Sequence, residues 1–369
     1  MASSRLQQLS DHGQSVWIDF VSRELIREGG LQRMIDEDAV VGVTSNPTIF
    51  QKAISHGSDY DDQIRACLEE VEDPKEIFWR LAETDIRDAC DVLRPVWDQG
   101  SGRDGYVSLE VDPNLAYERK AQYDEAKHLH AVVDRPNLLV KIPGTEPGLG
   151  AIEDSIAQGR SINVTLIFSL DRYEQVAEAY VRGLERFVEA GGDPSPIASV
   201  ASFFVSRVDT EADKRIDAIG GHDELKGKLA VANAKLAYQA YKRIFAGERW
   251  RALASKGATR QRCLWASTST KNPAYSDVLY VEDLIGPETV NTMPEETIDA
   301  FQDHGRVADT LEQGIDEAKR HLDQLAEAGV DYDDVTATLE REGVDKFAES
   351  FRELLDGISA KRQELAGVA

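Results

Sequence analysis

Eight short apolar runs, rich in valine and isoleucine, recur along the chain between longer stretches whose apolar positions repeat every three or four residues. The runs are VWIDF (16–20), VVGVTS (40–45), YVSLEV (106–111), LLVKIP (138–143), INVTLIF (162–168), IASVASFFV (197–205), RCLWAS (262–267) and TVNTMP (289–294). They show little polar alternation. A strand covered on both faces has no wet side to mark, so such runs predict a parallel sheet, and the helix-periodic stretches between them predict its crossovers. Eight strands separated by helices predict an α/β fold, a (β/α)8 TIM barrel.

A helix over Leu6–His12 is expected ahead of the first strand, and one short crossover between Asp19 and Val40. About sixty residues separate the second and third runs, enough for more than one helix, with Pro74 as a break. YSDVLYVEDLIG reads as the helix before the last strand. From Pro294 onward three stretches are strongly helical: EETIDAFQDHG, RVADTLEQGIDEAKRHLDQLAEAG and VTATLEREGVDKFAESFRELLDGISAKRQEL, with Gly305 and Gly329 marking helix ends. No linker composition separates them from the rest. The expectation is a barrel over residues 1–295 with a C-terminal helical extension, 296–369, packed on it in a single domain.

Composition narrows the function. A chain of 369 residues with 41% hydrophobic content is long enough for one large barrel or for two ordinary domains, and the order of the runs favours the barrel. Lys and Arg number 42 against 67 Asp and Glu, a net charge of −25, which argues against nucleic acid as a partner because phosphate backbones need a basic face. Cys67, Cys90 and Cys263 are far apart, with no zinc-type spacing, and read as reduced thiols. The first residues lack a signal-peptide core and no stretch is long enough to span a bilayer, so a cytoplasmic protein without a membrane partner is expected.

In a barrel of this kind the chemistry sits at the C-terminal ends of the strands, so a polar residue there carries more weight than one elsewhere. Asp19 stands in the first run, Asn46 follows the second, Glu110 sits in the third and Lys141 lies in the fourth. Asn163 and Thr165 lie in the fifth, and Ser202 in the sixth. Each alone has an ordinary reading: Asp19 and Asn46 as helix caps, Asn163 or Thr165 as partners for backbone groups, Lys141 as a snorkelling side chain at a strand end. Lys141 is the most informative of them, because a lysine taken out of water moves toward the neutral amine that attacks a carbonyl.

Three tempting motifs are set aside. GTEPGLG at 144–150 lacks the Lys-Ser/Thr ending of a phosphate loop and reads as a turn. Asn163-Val-Thr165 spells a glycosylation sequon inside an expected buried strand. His128 and His130 have no carboxylates at ligand spacing, so no metal is expected.

As a set, VWIDF, TSNPTIF, VSLEVDP, VKIPGT, SINVTLIFS and SFFVSRVD resemble, in order, the strand-end motifs of the transaldolases, over residues 16 to about 300. The length and helical C-terminus are similar to the longer bacterial subgroup. The resemblance implies a cofactor-free enzyme in which Lys141 forms a Schiff base with a ketose phosphate, Asp19 is the acid/base of carbon–carbon cleavage, and Glu110 and Thr165 hold a proton-shuttling water. It implies that Asn46, Asn163 and Ser202 bind the dihydroxyacetone unit, that Phe204 walls the site, and that Arg207 binds phosphate. Where shorter relatives read Ala-Ser-x-Arg-Asn, this chain has Ala266-Ser-Thr-Ser-Thr-Lys-Asn272, so Lys271 stands across a two-residue insertion for the second cation, with Ser267 as a further donor. The implied partners are sugar phosphates, and monomer and homodimer both stay open. A fructose 6-phosphate aldolase is the nearest rival, but those relatives are shorter and carry tyrosine where Phe204 stands; a non-enzymatic sugar-phosphate-binding barrel should have lost the lysine or the acid.

Overall fold

A computed structural model describes residues 4–367 apart from His56 and Glu69. Eight parallel strands close into a barrel in chain order: β1 (Gln14–Ile18), β2 (Val40–Val43), β3 (Tyr106–Glu110), β4 (Leu138–Pro143), β5 (Ile162–Ile167), β6 (Ser199–Phe204), β7 (Arg262–Ala266) and β8 (Thr289–Met293). Each overlaps one of the eight apolar runs. Nearly every strand residue is buried, because barrel side chains fill one face and helices cover the other. Closure is direct, with β1 pairing β8 from Gln14↔Thr289 to Ile18↔Met293.

The two ends of the barrel differ in how their polar groups are satisfied. At the N-terminal end Arg262 pairs with Asp104 at 2.8 Å and donates to Ser15 Oγ at 2.8 Å, while Trp17 Nε1 donates to the same carboxylate at 3.2 Å. These groups complete one another beside a cavity of about 310 Å³ lined by Tyr106, Leu139, Ser199 and Arg262. The C-terminal end holds a second cavity, lined by polar groups that are left open.

Some connections follow the expected pattern and others depart from it. The stretch between β1 and β2 holds two short helices, Arg23–Arg27 and Gly30–Asp38, because Gly29 takes a left-handed φ of 73° and breaks the turn between them. Three helices join β2 to β3, and the last, Pro74–Gln99, starts at Pro74, with Asp73 accepting from Lys75 N as its cap. Thr145 caps the helix Glu146–Ile156 by accepting from Gly148 N at 3.1 Å, so the glycine-rich segment after β4 is a helix start. Of YSDVLYVEDLIG only Leu279–Glu282 is helical.

The largest difference lies at 306–314. The spacing of Val307 and Leu311 reads as helix, yet only Ile315–Glu327 is one. Tertiary hydrogen bonds win instead: Thr310 N and Leu311 N both donate to Ile285 O, Thr310 Oγ1 donates to Glu282 O, and Leu311 is fully buried.

The final helix, Tyr332–Gly367, crosses the mouth of the barrel. Its Tyr332 hydroxyl donates to Asn233 and accepts from Leu170 N, Glu340 pairs with Arg172, Thr48 donates to Ser350, and Lys361 pairs with Asp61. Gly343 permits a close approach: a methyl group there would sit 3.0 Å from Leu166 Cδ2. Phe351 packs edge-on to Phe78 at 5.4 Å. Among the described residues no helix is long and apolar enough to cross a membrane.

Candidate active site

The cavity at the C-terminal end measures about 270 Å³, and nine of the eleven residues singled out from sequence line it: Asp19, Asn46, Lys141, Thr165, Ser202, Phe204, Arg207, Ser267 and Lys271. Each strand delivers its residue at the same height because the ladder holds the registers in step: Glu110 opposite Lys141, Lys141 opposite Asn163, Pro143 opposite Thr165. The remaining two stand just behind the wall.

Lys141 is 4% exposed. Its Nζ donates to Ser45 O at 2.8 Å and lies 3.0 Å from Glu110 Oε2, an ion-pair distance at which the angle falls short of a hydrogen bond. Phe347 presents its ring 5.9 Å away. Glu110 is itself buried, and burial pushes its carboxyl above the ordinary range against the pull of Lys141, with the nearby Asp19 charge pushing the same way.

Asp19 follows β1 and is anchored through its backbone, Asp19 N donating to Met293 O at 2.9 Å. Its carboxylate accepts from Thr44 Oγ1 at 2.7 Å. Burial raises its pKa, opposed by Lys141, by the Thr44 hydrogen bond and by Arg207, and helped by Glu296. The site thus holds two carboxyls that bind protons more tightly than usual, beside one amine.

Thr165 is fully buried and its Oγ1 has no hydrogen-bond partner among the described residues, although it faces the cavity. A buried hydroxyl without a partner costs free energy, and a water or substrate oxygen would satisfy it. Asn163, by contrast, is engaged at both ends of its amide. Its Nδ2 donates to Ser108 Oγ at 3.0 Å and its Oδ1 accepts from Ser202 Oγ at 2.7 Å, so it holds Ser202 in place from behind. Asn46 does two things at once: it lines the cavity and caps the helix Pro47–Ser55 by accepting from Ile49 N at 3.0 Å.

Arg207 makes no hydrogen bond or ion pair among the described residues. Its guanidinium lies 5.2 Å from the Phe204 ring centroid and 5.9 Å from that of Phe347, two apolar faces that fix the plane while leaving its N–H fork open. Burial lowers its pKa, against the pull of Asp19 and Glu110. Lys271 is exposed at the rim and donates to Ser269 Oγ at 2.6 Å; burial of its ammonium lowers its pKa, Glu296 opposes this, and Arg207 and Lys346 add to it. Ser267 has a left-handed φ of 56°, and its hydroxyl lies 2.9 Å from that of Ser206. Leu166 in β5 is also left-handed, at 57°, where the pairing with β6 shifts register. Such conformations cost about 1–3 kcal/mol in non-glycine residues and gather at working sites.

Of the lining residues that the sequence reading did not single out, four carry a charge or an aromatic ring: Lys52, Glu296, Lys346 and Phe347. None follows a strand directly. All lie on helices, where a charged or aromatic residue at helical spacing reads as an ordinary solvated or core face, and no strand-end signal marks them.

Comparison with known proteins identifies the family. The family model described as Transaldolase/Fructose-6-phosphate aldolase matches residues 16–358. A Transaldolase of Acidothermus cellulolyticus is 54% identical over 356 residues, covering 96% of each chain. Transaldolase 2 of Streptomyces coelicolor is 52% identical over 98% of each chain, and a Transaldolase of Thermobifida fusca is 52% identical over 98% of this chain and 99% of its own. With a matched span that runs from β1 into the final helix and relatives aligned end to end, the chain belongs to the transaldolase/fructose-6-phosphate aldolase family.

Proposed function

We infer that the protein is a transaldolase, moving a dihydroxyacetone unit from a ketose phosphate such as fructose 6-phosphate or sedoheptulose 7-phosphate to an aldose phosphate such as erythrose 4-phosphate or glyceraldehyde 3-phosphate. The observation that carries this reading is the buried Lys141 amine, 3.0 Å from Glu110, opening into the cavity that also holds Asp19 and Thr165.

The amine of Lys141 adds to the ketose C2 carbonyl, and loss of water gives the imine. Asp19 takes the proton from the C4 hydroxyl as the C3–C4 bond breaks, the electron pair passing into the enamine on Lys141 while the aldose phosphate leaves. An acceptor aldehyde then takes the enamine carbon, its oxygen receives the proton back, and water releases the new ketose. Each transfer needs a group within hydrogen-bond reach. The raised carboxyls of Asp19 and Glu110 suit groups that must both take and return a proton. Glu110 and the orphaned Thr165 hydroxyl hold the water used in forming and hydrolysing the imine. Asn46 and Ser202 bind the hydroxyls of the covalent unit, with Asn163 aligning Ser202. Phe204, without a hydroxyl, keeps water from discharging the enamine early. Arg207, with Lys271 and Ser267, takes the phosphate.

Borohydride reduction in the presence of fructose 6-phosphate tests the reading. Mass spectrometry should find a reduced three-carbon unit on the peptide carrying Lys141, and Lys141→Met should lose both the adduct and turnover. Adduct on another lysine would sink the mechanism.

A further inference from the structure

The final helix brings a cation into the cavity that the proposed mechanism has not used. Lys346 lines the same space as Lys141, Arg207 and Lys271, and its ammonium has no hydrogen bond or ion pair among the described residues. Its neighbour Phe347 is buried, with its ring 5.9 Å both from Lys141 Nζ and from the Arg207 guanidinium, so this turn of the helix is seated beside the nucleophile and the anion-binding arginine together.

The seat is fixed from several sides. Gly343 lets the helix come down onto Leu166, and Ser350, one turn after Lys346, is held by Thr48 at 2.8 Å. Lys346 therefore has a defined backbone position at the mouth, while its side chain is exposed and without a carboxylate partner. In a chain of net charge −25, where cations such as Arg119, Arg182, Arg186 and Arg249 sit in surface ion pairs, a lysine left open beside an open arginine is a placement that suits an anion.

We propose that Lys346 is a phosphate ligand of the sugar-phosphate substrate, making the C-terminal helix an integral wall of the active site and a determinant of its preference for phosphorylated sugars. This rests on the transaldolase reading. The covalent end of the substrate is tied to Lys141, so the phosphate at the other end of the chain extends toward the rim, where Arg207 offers a planar fork and Lys346 and Lys271 offer point charges. Phe347 is a positioning residue: its ring lies 5.9 Å from the Arg207 guanidinium and, with Phe204, helps hold it.

The test compares Lys346→Ala and Lys346→Arg with the unaltered enzyme, using inorganic phosphate as the probe. Phosphate should inhibit turnover of fructose 6-phosphate by the unaltered enzyme, and the inhibition constant should rise roughly tenfold in Lys346→Ala, as expected for a lost charge-assisted contact. The ratio of half-saturating fructose 6-phosphate to half-saturating dihydroxyacetone, which carries no phosphate, should rise by a similar factor. Lys346→Arg, which keeps the charge, should restore most of both. Equal phosphate inhibition in Lys346→Ala and the unaltered enzyme overturns the proposal, as does an equal loss on both donors. Borohydride trapping on Lys141, run in parallel, separates this failure from failure of the transaldolase reading: a trapped adduct with unchanged phosphate inhibition removes Lys346 alone, whereas no adduct in the unaltered enzyme removes the reading beneath it.

Discussion

Asp19 sits where burial makes its carboxyl hold a proton more tightly than usual, while the Thr44 hydroxyl and the charges of Lys141 and Arg207 oppose that shift. Carbon–carbon cleavage needs the carboxylate as base, so the direction of the shift sets the acid side of the pH profile. As pH falls through the raised pKa the base is lost, and kcat/KM should decline at a pH clearly above the ordinary carboxylate value of about 4. An acid limb at that ordinary value would count against Asp19 as the base. Asp19→Asn keeps the shape without the basicity, so borohydride should trap a six-carbon adduct in place of the three-carbon one; normal cleavage would leave Asp19 a structural anchor between Met293 O and Thr44. Phe204 invites a different substitution. It packs 5.2 Å from Phe168 and under Arg207, with no hydroxyl to place a water. Phe204→Tyr should gain release of free dihydroxyacetone from fructose 6-phosphate and lose transfer to erythrose 4-phosphate, read in coupled assays for both products. An unchanged product ratio would make Phe204 packing alone.

At the scale of elements, the strands were legible because a barrel strand buries both faces and so writes a continuous apolar run, and the site was legible because a polar residue interrupting such a run at its C-terminal end has little structural use. The helices over the mouth were not. Lys346 and Phe347 lie in VDKFAESF, which reads as any amphipathic turn, and only the tertiary path of the helix places them beside Lys141. The stretch 306–314 failed for a related reason: its helical spacing was real, but hydrogen bonds to Ile285 O and Glu282 O, remote in sequence, outcompeted helical ones. The helix after β6 carries a further consequence. Asp209, in Ser206–Ile219, accepts from Ala230 N at 2.7 Å and from the Tyr280 hydroxyl at 2.8 Å, tying three elements together. Burial pushes its carboxyl up to about 7 despite those bonds. The folded state then binds the proton more tightly than the unfolded chain, so this group's contribution to stability is full below roughly pH 4 and lost as pH rises through its folded value. Between about pH 4 and about pH 7 the unfolding temperature of the unaltered protein should fall relative to that of Asp209→Asn. Parallel curves would mean that Asp209 is ionised throughout.

For the whole molecule, the net charge of −25 and the cations at the mouth pull on an anionic substrate in opposite directions over different distances. A chain of this length has a radius of gyration of about 21 Å. At about 10 mM salt the screening length is about 30 Å, so carboxylates over the whole surface repel an approaching phosphate; at about 100 mM it is about 10 Å, and only charges around the mouth are felt. Arg207, held between Phe204 and Phe347, is partly desolvated and acts at contact distance, so it loses less to screening than the distant carboxylates do. Raising salt across that interval should therefore raise kcat/KM for fructose 6-phosphate, before higher concentrations weaken the phosphate contacts themselves. Dihydroxyacetone, being neutral, should show a flat response over the same range. If kcat/KM for the phosphorylated donor falls steadily from the lowest salt, the cations of the mouth govern the approach from long range and the acidic surface contributes nothing to the substrate's encounter with the site.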